Sequence, residues 1–377
     1  MDYVSLGLMS GTSLDGVDAA FLHTDGERIH EFGPSLCIQY SPKERVILEQ
    51  TIKSALKWNF LGPRPSIFED ADNIILETHK LAVEQLCGTN KSWSRRLNLI
   101  GFHGQTVLHL PPLDGTRGQT LQLGNGEKLA KVLNCPVWYD FRSNDIANMG
   151  QGAPLAPIYH KSLASYSKLR LPTVILNIGG VSNLTFVSKN NEIIATDTGP
   201  GNGPIDTWIN QNGLGLYDPY GQYALAGKAD YAKVKSWLKY NFFKKKIPRS
   251  ADRYDFNVLN DIKNYSVEDG AATLVAFIVE AIADVIKEFN QDPLEMIVCG
   301  GGRHNKAIIS LLDKKLDMKI STTEKVGWIS DAVEAQAFAY LAVRSQLGLP
   351  ISFPATTGVK EPLTGGKLSS PNYCKRI

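Results

Sequence analysis

Short apolar runs bounded by small and polar residues recur along the chain and alternate with longer amphipathic stretches. Residues 3–9 are largely apolar, residues 10–16 are mostly small and polar, and residues 17–23 are largely apolar again. Runs of this length between turn residues predict β-strands. A Thr-Asp-Gly turn follows at 24–26, too soon for a helix, so the pattern predicts a strand, a small-residue turn and a second strand.

The second half of the chain repeats this pattern. Residues 173–178 are an apolar run that stops at Gly179 and Gly180, residues 184–187 resume it, and residues 192–197 follow a polar turn. In the first half, residues 28–40 supply the corresponding third run, and a segment with helical spacing follows in both halves. An internal repeat of this kind predicts two similar α/β domains. We place them at residues 1–168 and 169–345, with residues 346–377 as a candidate completion of the first domain.

Composition and charge narrow the class of protein. A length of 377 residues with 43% hydrophobic and 21% charged residues is sufficient for two domains with sizeable cores. A net charge of +2 is too close to neutral to suggest a protein that binds nucleic acids or membrane surfaces. The five cysteines are scattered and form no Cys-x-x-Cys pair, so neither a disulfide framework nor a zinc site is indicated. Because no signal peptide and no apolar run of membrane-spanning length is evident, we expect a soluble cytoplasmic protein.

The first turn, residues 10–16, has the composition of an anion-binding loop. Gly11 and Gly16 permit positive φ, and small side chains let backbone N–H groups approach a phosphate closely. An ordinary hairpin with a polar tip has the same composition and is the simpler interpretation of this turn alone. The second copy of the pattern is what favours a phosphate-binding hairpin.

A carboxylate beside a glycine-rich turn is the strongest catalytic candidate. Asp197 closes the predicted third strand of the second half and precedes Gly-Pro-Gly-Asn-Gly-Pro at 199–204, where a helix is predicted to open. Helix N-termini favour anions, so a general base at this place could work beside a transferred phosphate. The alternative is an aspartate that only caps the helix, but the flanking glycines exceed what capping requires. We therefore favour Asp197 as a general base.

Two further segments of the second half differ in character. Gly300, Gly301 and Gly302 lie between a predicted buried strand at 296–299 and a helix, and they allow a flat ligand such as a purine to lie on the backbone. The basic run at 244–246 with Arg249 is most simply a solvated loop.

Polar residues follow two predicted strands of the first half, where α/β proteins bind ligands. His103 ends the strand at 97–102 and is equally a substrate-orienting residue or a turn histidine bonded to the backbone. Arg142 follows the strand at 136–140 and either recognises a carboxylate or pairs locally with an aspartate. Farther along, Glu334 lies three residues after Asp331, a spacing for which a helix capping box is the favoured interpretation.

Together these segments resemble the 1,6-anhydro-N-acetylmuramic acid kinases. Each motif is weak alone, but they follow the family's order from residue 7 to about 340 and are highly specific together. The family belongs to the sugar kinase, actin and heat-shock chaperone ATPase superfamily, so the resemblance implies two duplicated actin/sugar-kinase-like (ribonuclease H-like) α/β domains around a nucleotide cleft. The matching segments are Met-Ser-Gly-Thr-Ser-Leu-Asp-Gly-Val-Asp at 9–18, His-Gly-Gln-Thr at 103–106, Asp-Phe-Arg at 140–142, Gly-Gln-Gly-Ala-Pro-Leu at 150–155, Asn-Ile-Gly-Gly at 177–180, Asp-Thr-Gly-Pro-Gly-Asn at 197–202 and Cys-Gly-Gly-Gly at 299–302.

The resemblance implies that ATP, 1,6-anhydro-N-acetylmuramic acid and water give ADP and N-acetylmuramic acid 6-phosphate, a step of peptidoglycan recycling. It implies Asp197 as the base that activates water, ATP and Mg²⁺ as cofactors, and a homodimer that binds the small sugar and neither nucleic acid nor membrane. The nucleotide is expected at Gly11, Thr12, Ser13, Leu14, Asp15, Gly16, Val17, Asp18, Gly199, Gly201, Asn202, Gly300, Gly301, Gly302 and Asn305, and the sugar at Thr106, Arg142, Gln151 and Glu334.

The chain departs from the wider superfamily at one place. Many members carry an acidic metal ligand before the Gly-Thr of the first turn, where this chain has Met9 and Ser10. The Mg²⁺ ligands are therefore undefined, with Asp15 and Asp18 as candidates. Two other functions stay open. One is a kinase for a different sugar or anhydrosugar, in which Asp197 deprotonates a hydroxyl, and the other is an ATP-driven conformational switch such as a chaperone.

Overall fold

The structure is a computed structural model that describes residues 1–11, 13–113, 115–251 and 256–371. Thr12, an expected nucleotide contact, and residues 372–377 of the predicted C-terminal completion lie outside the described residues. The strands are β1 (Tyr3–Ser10), β2 (Gly16–Thr24), β3 (Ile29–Gln39), β4 (Leu97–Leu110), β5 (Gln119–Leu123), β6 (Val137–Tyr139), β7 (Thr173–Ile178), β8 (Val181–Val187), β9 (Ile193–Pro200), β10 (Glu295–Cys299), β11 (Lys319–Thr322) and β12 (Lys367–Ser369). The helices are α1 (Pro42–Trp58), α2 (Ile67–Thr89), α3 (Lys91–Ser94), α4 (Gly126–Leu133), α5 (Ser143–Ala147), α6 (Pro157–Tyr166), α7 (Gly203–Gln211), α8 (Gln222–Ala226), α9 (Tyr231–Trp237), α10 (Val267–Ile286), α11 (Lys306–Lys315), α12 (Val333–Gln346) and α13 (Pro354–Thr357).

The chain divides into two compact units. The first comprises Met1–Tyr166 with Asp331–Ile377, and the second comprises Ser167–Ser330. In the first unit the sheet order is β12-β6-β4-β1-β2-β3, with β5 paired to β4. Strands β1, β2 and β3 are antiparallel neighbours, whereas β1, β4 and β6 run parallel.

The sheet of the second unit has the same plan. Its order is β11-β10-β7-β8-β9, with β7, β8 and β9 antiparallel and β7, β10 and β11 parallel. Each unit therefore places a three-strand meander beside two parallel strands in the same order. This confirms the predicted duplicated α/β architecture.

The division differs from the predicted domain boundaries in the place of α12. This helix was expected in the second domain, which was set to end at residue 345, but it lies on the sheet of the first unit. Two glycines permit the contact, since a Cβ on Gly7 would lie 1.7 Å from the Ala335 carbonyl oxygen and one on Gly101 would lie 2.1 Å from that of Phe338. The helix backbone rests directly on β1 and β4, a close approach that only glycine allows.

Each unit has its own apolar core. In the second unit the core surrounds α10, whose first turn is capped by the Ser266 side chain, which accepts a hydrogen bond from the Asp269 N–H. The core of the first unit lies between its sheet and helices α1 and α2. None of the helices in the described part of the chain combines the length and apolarity that crossing a membrane requires.

Candidate functional site

Buried polar side chains hold the turn between β1 and β2 in place through hydrogen bonds. The Ser10 hydroxyl donates to Oε1 of Gln105 at 2.5 Å and lies 2.9 Å from the Tyr40 hydroxyl. Nε2 of Gln105 donates to the Gly11 carbonyl at 3.2 Å. The Leu14 N–H also donates to this carbonyl, and the Leu14 side chain is buried in the core. These contacts fix the position of the predicted phosphate-binding turn relative to the strands that carry it.

The two glycines of this turn serve different purposes. Neither has a positive φ, and among the described residues of the turn the left-handed one is Leu14, with φ 57°. A Cβ on Gly16 would lie 2.3 Å from the Ile38 carbonyl oxygen, so packing against β3 requires glycine there. A Cβ on Gly11 would meet only Ser13 Oγ at 3.6 Å among the described residues, so packing does not require glycine at that position.

The two candidate metal-binding aspartates of this hairpin differ in environment. The Asp15 side chain is 70% exposed and lies 3.6 Å from a nitrogen of Arg45. Asp18 is half-buried on β2, opposite Cys37 of β3. Burial raises the pKa of Asp18 to about 6, a hydrogen bond from the Cys37 thiol opposes this shift, and the charges of Asp331 and Asp15 add to it.

Arg142 is fixed by a histidine and a carbonyl rather than by an aspartate. Its Nε and Nη2 lie 3.1 and 3.0 Å from Nε2 of His103, and its Nη1 donates to the Gly152 carbonyl at 2.7 Å. Nδ1 of His103 faces the Gly104 carbonyl at 2.8 Å, so this nitrogen carries the hydrogen and Nε2 accepts from Arg142. Burial and the Arg142 charge keep the pKa of His103 well below its usual range. Burial also lowers the pKa of Arg142 to about 10, against the charges of Glu334 and Asp145.

Hydrogen bonds to Asp145 hold the loop whose Gly152 carbonyl accepts from Arg142. Its Oδ1 accepts from the Gly152 N–H at 2.6 Å, and its Oδ2 accepts from the Thr357 hydroxyl at 2.5 Å. The Gln151 N–H donates to the Thr357 carbonyl at 2.7 Å. Asp140, the other aspartate near Arg142 in the sequence, pairs with Lys367 at 2.7 Å instead.

A cavity of about 180 Å³ lies beside His103 within the first unit. The Thr106 hydroxyl accepts from Nε2 of Gln122 at 3.2 Å, which links the expected sugar contact Thr106 to the cavity wall. The cavity is lined by Phe102, His103, Thr120, Leu121, Gln122, Gly124, Tyr139, Asp140 and Ser143.

Glu334 is not part of a capping box, so that expectation was wrong. The residue at the N-cap of α12 is Ala332, which makes no side-chain cap. The Glu334 side chain is accessible to solvent, but surrounding protein atoms and the charge of Asp18 raise its pKa, with Arg142 opposing. Asp18, Arg142 and Glu334 are therefore electrostatic neighbours in the first unit.

Asp197, in the second unit, lies inside a strand rather than at its end. Strand β9 continues past it to Pro200, and its own N–H donates to the Arg249 carbonyl at 3.0 Å. Its Oδ2 accepts from the Ala251 N–H at 2.7 Å and lies 3.5 Å from the Ser250 hydroxyl. Helix α7 begins at Gly203 with Asn202 at its N-cap, so the alternative that Asp197 caps this helix is wrong.

The N–H groups of the glycine-rich turn after β9 donate to the turn between β7 and β8. The Gly201 and Gly203 N–H groups donate to the Gly180 carbonyl at 3.1 and 3.2 Å, and the Asn202 N–H donates to the Gly179 carbonyl at 2.6 Å. These three N–H groups already have backbone acceptors, and the nucleotide contacts expected at Gly199, Gly201 and Asn202 stay predictions. At Gly180, in contrast, φ is not positive and no described atom lies within 4 Å of an added Cβ.

The three glycines after β10 also differ in whether packing requires glycine. Gly300 has φ +73°, and a Cβ on it would lie 2.3 Å from Asn177 Oδ1. A Cβ on Gly302 would lie 2.4 Å from Ile178, whereas one on Gly301 would meet only Asn202 Nδ2 at 3.5 Å. Asn305 caps α11, its Oδ1 accepting from the N–H groups of Ala307 and Ile308.

Comparison with known proteins decides the family. The family model described as anhydro-N-acetylmuramic acid kinase matches residues 3–370. The chain belongs to the anhydro-N-acetylmuramic acid kinase family. The protein of that name from Phenylobacterium zucineum is 46% identical over 366 residues, which cover 97% of this chain and 99% of the relative. The one from Caulobacter vibrioides is 45% identical over 364 residues, 96% of this chain and 98% of the relative.

A solved structure, component A of the (R)-2-hydroxyglutaryl-CoA dehydratase of Acidaminococcus fermentans, is also similar, at 12% identity with a TM-score of 0.46. The match covers 90% of this chain and 99% of that chain. This similarity is too weak to support a statement about fold or chemistry.

Within this member of the anhydro-N-acetylmuramic acid kinase family, three residues contact candidate site residues although the sequence motifs assigned them no role. Gln105 and Tyr40 anchor the first hairpin, and neither was assigned a role. Arg249 was interpreted as part of a solvated basic loop, but it is 4% exposed and lies beside Asp197. The only sequence signal for Arg249 is the apolar Phe242–Phe243 pair upstream, over which its guanidinium lies.

Proposed function

We propose that this protein hydrolytically opens the 1,6-anhydro bridge of 1,6-anhydro-N-acetylmuramic acid and phosphorylates O6 from ATP. Family membership supports the kinase activity and this substrate. The single observation that carries the mechanism is the placement of Asp197, whose carboxylate is held inside β9 with Oδ2 2.7 Å from the Ala251 N–H. A carboxylate held in one place by a backbone donor is suited to serve as a general base.

The proposed reaction balances as follows. Asp197 takes a proton from a water molecule while the water oxygen bonds to C1 of the sugar, and the bond between C1 and O6 breaks. O6 bonds to the γ-phosphorus as the bond from that phosphorus to the β-phosphate oxygen breaks, so ADP leaves. The proton on Asp197 passes to solvent, and the products are ADP and N-acetylmuramic acid 6-phosphate.

We assign the sugar and phosphate side to the first unit and the base and nucleotide side to the second. Thr106, Arg142, Gln151 and Glu334 are the proposed sugar contacts, and the carboxylate of the sugar's lactyl group suits the Arg142 guanidinium. Residues 11–18 are the proposed phosphate contacts. Gly300, Gly301 and Gly302 are the proposed purine platform, and Gly301 is the one of the three at which an added Cβ would meet described atoms only at ordinary contact distance, 3.5 Å.

Asp18 is the residue of the hairpin that best fits a Mg²⁺ ion. Magnesium in such sites is held by one or two carboxylates together with phosphate oxygens and water. Asp18 is half-buried, and burial first and the Asp331 charge after it raise its pKa, so a cation would relieve an existing repulsion. When bound, Mg²⁺ would neutralise charge on the phosphoryl oxygens. The homodimer and the cytoplasmic location stay predictions.

Water labelled with heavy oxygen tests the proposal. Purified protein is incubated with ATP, the anhydrosugar and H₂¹⁸O, and the product is reduced at once to prevent exchange at C1. The label is expected at C1, because water opens the bridge. An unlabelled C1 would contradict this mechanism and favour a kinase for a free sugar hydroxyl, and rapid ATP turnover without any sugar would favour a conformational switch.

A further inference from the structure

We propose that Arg249 is a positioning residue for Asp197. In this inference, which rests on the proposed function, the buried guanidinium holds residues 249–251 in place, and the backbone of that segment in turn holds the catalytic carboxylate. Nothing in the family resemblance or in the sequence pattern assigned Arg249 a role, because it was grouped with exposed lysines.

The first step of the argument is the pairing of residues 249–251 with β9. The Asp197 N–H donates to the Arg249 carbonyl at 3.0 Å, and the Arg249 N–H donates to the Thr196 hydroxyl at 3.0 Å. The Thr196 hydroxyl in turn lies 3.2 Å from the Arg249 carbonyl. Two residues on, the Ala251 N–H reaches Oδ2 of Asp197 at 2.7 Å. The position of the carboxylate oxygen therefore depends on where this short segment lies.

The second step concerns what fixes the segment. Nη1 of Arg249 donates to the Lys245 carbonyl at 2.9 Å and to the Phe243 carbonyl at 3.3 Å. The guanidinium carbon lies 4.8 Å from the centre of the Phe242 ring and 5.9 Å from that of Phe243. One buried side chain thus ties the turn at 242–245 to the segment that pairs with β9.

The Phe243 ring connects this turn to the catalytic strand a second time. A Cβ on Gly199, two residues after Asp197, would lie 3.1 Å from that ring. Displacement of the turn would therefore be transmitted to β9 on both sides of the carboxylate, through residues 249–251 and through Phe243.

The third step is charge. Glu288 lies 3.8 Å from Nη1 of Arg249. Burial lowers the pKa of Arg249, and the charges of Glu288, Asp197 and Asp284 oppose that shift. The interaction is mutual, so the guanidinium favours the ionised form of Asp197, the form that can accept a proton.

The experiment compares Arg249→Gln, which removes the charge, with Arg249→Lys, which keeps it. For each variant we would measure kcat, the KM for ATP, the melting temperature and the acid limb of the kcat–pH profile. We expect Arg249→Gln to lower kcat roughly 10- to 100-fold, as for a displaced catalytic group, with the KM for ATP little changed. The acid limb should move up by roughly half a pH unit or more, because Asp197 loses a favourable charge. Arg249→Lys should return the acid limb to its original position and recover part of kcat.

Lys315→Gln is the matched control. Lys315 forms a 2.6 Å pair with Glu280 of α10, so the variant also removes one cation from the same unit. Its acid limb should not move. A shift there as large as in Arg249→Gln would show that any lost cation has this effect and would overturn the inference.

A further variant covers failure of Arg249→Gln to fold. Glu288→Gln leaves the guanidinium in place and removes a counter-charge that is 40% exposed. Here the acid limb should move the opposite way, to lower pH, by roughly a few tenths of a unit because water screens the pair. If Arg249→Gln folds, absence of movement in that variant would overturn the inference; if it does not fold, absence of movement in Glu288→Gln would do so. Full activity of Asp197→Asn would instead overturn the proposed function, whatever Arg249 does.

Discussion

The two meanders share strand order and direction but carry their chemistry at different places. In the first unit, β1 and β2 are joined by residues 11–15, and the half-buried carboxylate, Asp18, lies on the middle strand. In the second unit, β7 and β8 are joined by Gly179 and Gly180 alone, and the candidate base, Asp197, lies on the third strand. The duplicated backbone thus supplies two similar frames, and the side chains and turn lengths differentiate them.

The two carboxylates also differ in the charges and hydrogen-bond donors around them. Burial raises the pKa of Asp18 against a hydrogen bond from Cys37, and the charges of Asp331 and Asp15 raise it further, as suits a site that receives a cation. Asp197 has the Ala251 N–H and the positive charge of Arg249 near it, and both favour its ionised form. The comparison therefore predicts a cation-binding role for the first carboxylate and a basic role for the second.

The largest expected effect is at Asp197. Asp197→Asn keeps the size of the side chain but cannot accept a proton, so kcat should fall by roughly two or more orders of magnitude. Binding of ATP, measured by calorimetry, should be retained. Ser250→Ala, which removes only the 3.5 Å contact, is the control and should stay close to the parent protein. Near-normal turnover of Asp197→Asn would place the base elsewhere.

The next effect concerns the fixed guanidinium of the first unit. Arg142→Lys keeps the charge but cannot contact His103 Nε2 and the Gly152 carbonyl with one planar group. The KM for the sugar should rise by roughly tenfold or more, as for a lost charge-assisted hydrogen bond, with the KM for ATP little changed.

Arg117→Lys is the control for this prediction. Arg117 is an exposed arginine of the same unit that donates to the Ala147 carbonyl at 2.9 Å, and it should tolerate the change. Equal effects of the two substitutions on the KM for the sugar would show that Arg142 has no specific role.

These two predictions indicate what the sequence could and could not establish. Strand periodicity and the repeat predicted the meanders, because burial of one face imposes a pattern on the residues themselves. Asp197 could be selected from its glycine-rich surroundings, but its partners could not, since Ala251 contributes only a backbone N–H. The pairing of Arg142 with His103 joins the turn after β6 to β4, and the α12 contact with Gly7 joins residues over 300 positions apart. Such contacts depend on tertiary packing that no local pattern records.

A smaller effect is expected on stability at Asp18. Its folded pKa of about 6 lies above the ordinary value of 3.8, so the folded state binds the proton more tightly than the unfolded state. Stability should therefore fall as the pH rises from about 4 to about 6. Asp18→Asn removes this loss and should raise the free energy of unfolding at pH 7.5 by roughly 1–2 kcal/mol, less than the full shift because water partly screens the group.

Urea unfolding at pH 4 and pH 7.5 checks the Asp18 prediction, with little difference expected at the lower pH. Asp15→Asn is the control, because that side chain is 70% exposed and should change stability little at either pH. A stability difference at Asp18 that is the same at both pH values would show that its cause is packing and not charge.

The smallest expected effect tests whether the turn at Gly11 and the turn at Gly180 both contact ATP. Packing explains glycine at position 16 but not at positions 11 or 180, where an added Cβ meets nothing closer than 3.6 Å among the described residues. If ATP lies against these turns, the added methyl group of Gly11→Ala or Gly180→Ala should crowd it and cost about 1 kcal/mol of binding free energy. Each variant should therefore raise the KM for ATP by roughly fivefold. Stability should not fall, since alanine orders the unfolded chain slightly. Gly88→Ala, in α2 with equally open surroundings, should leave the KM for ATP unchanged. An effect at Gly11 alone would restrict phosphate contact to the first turn, and the repeat would then be one of fold and not of function.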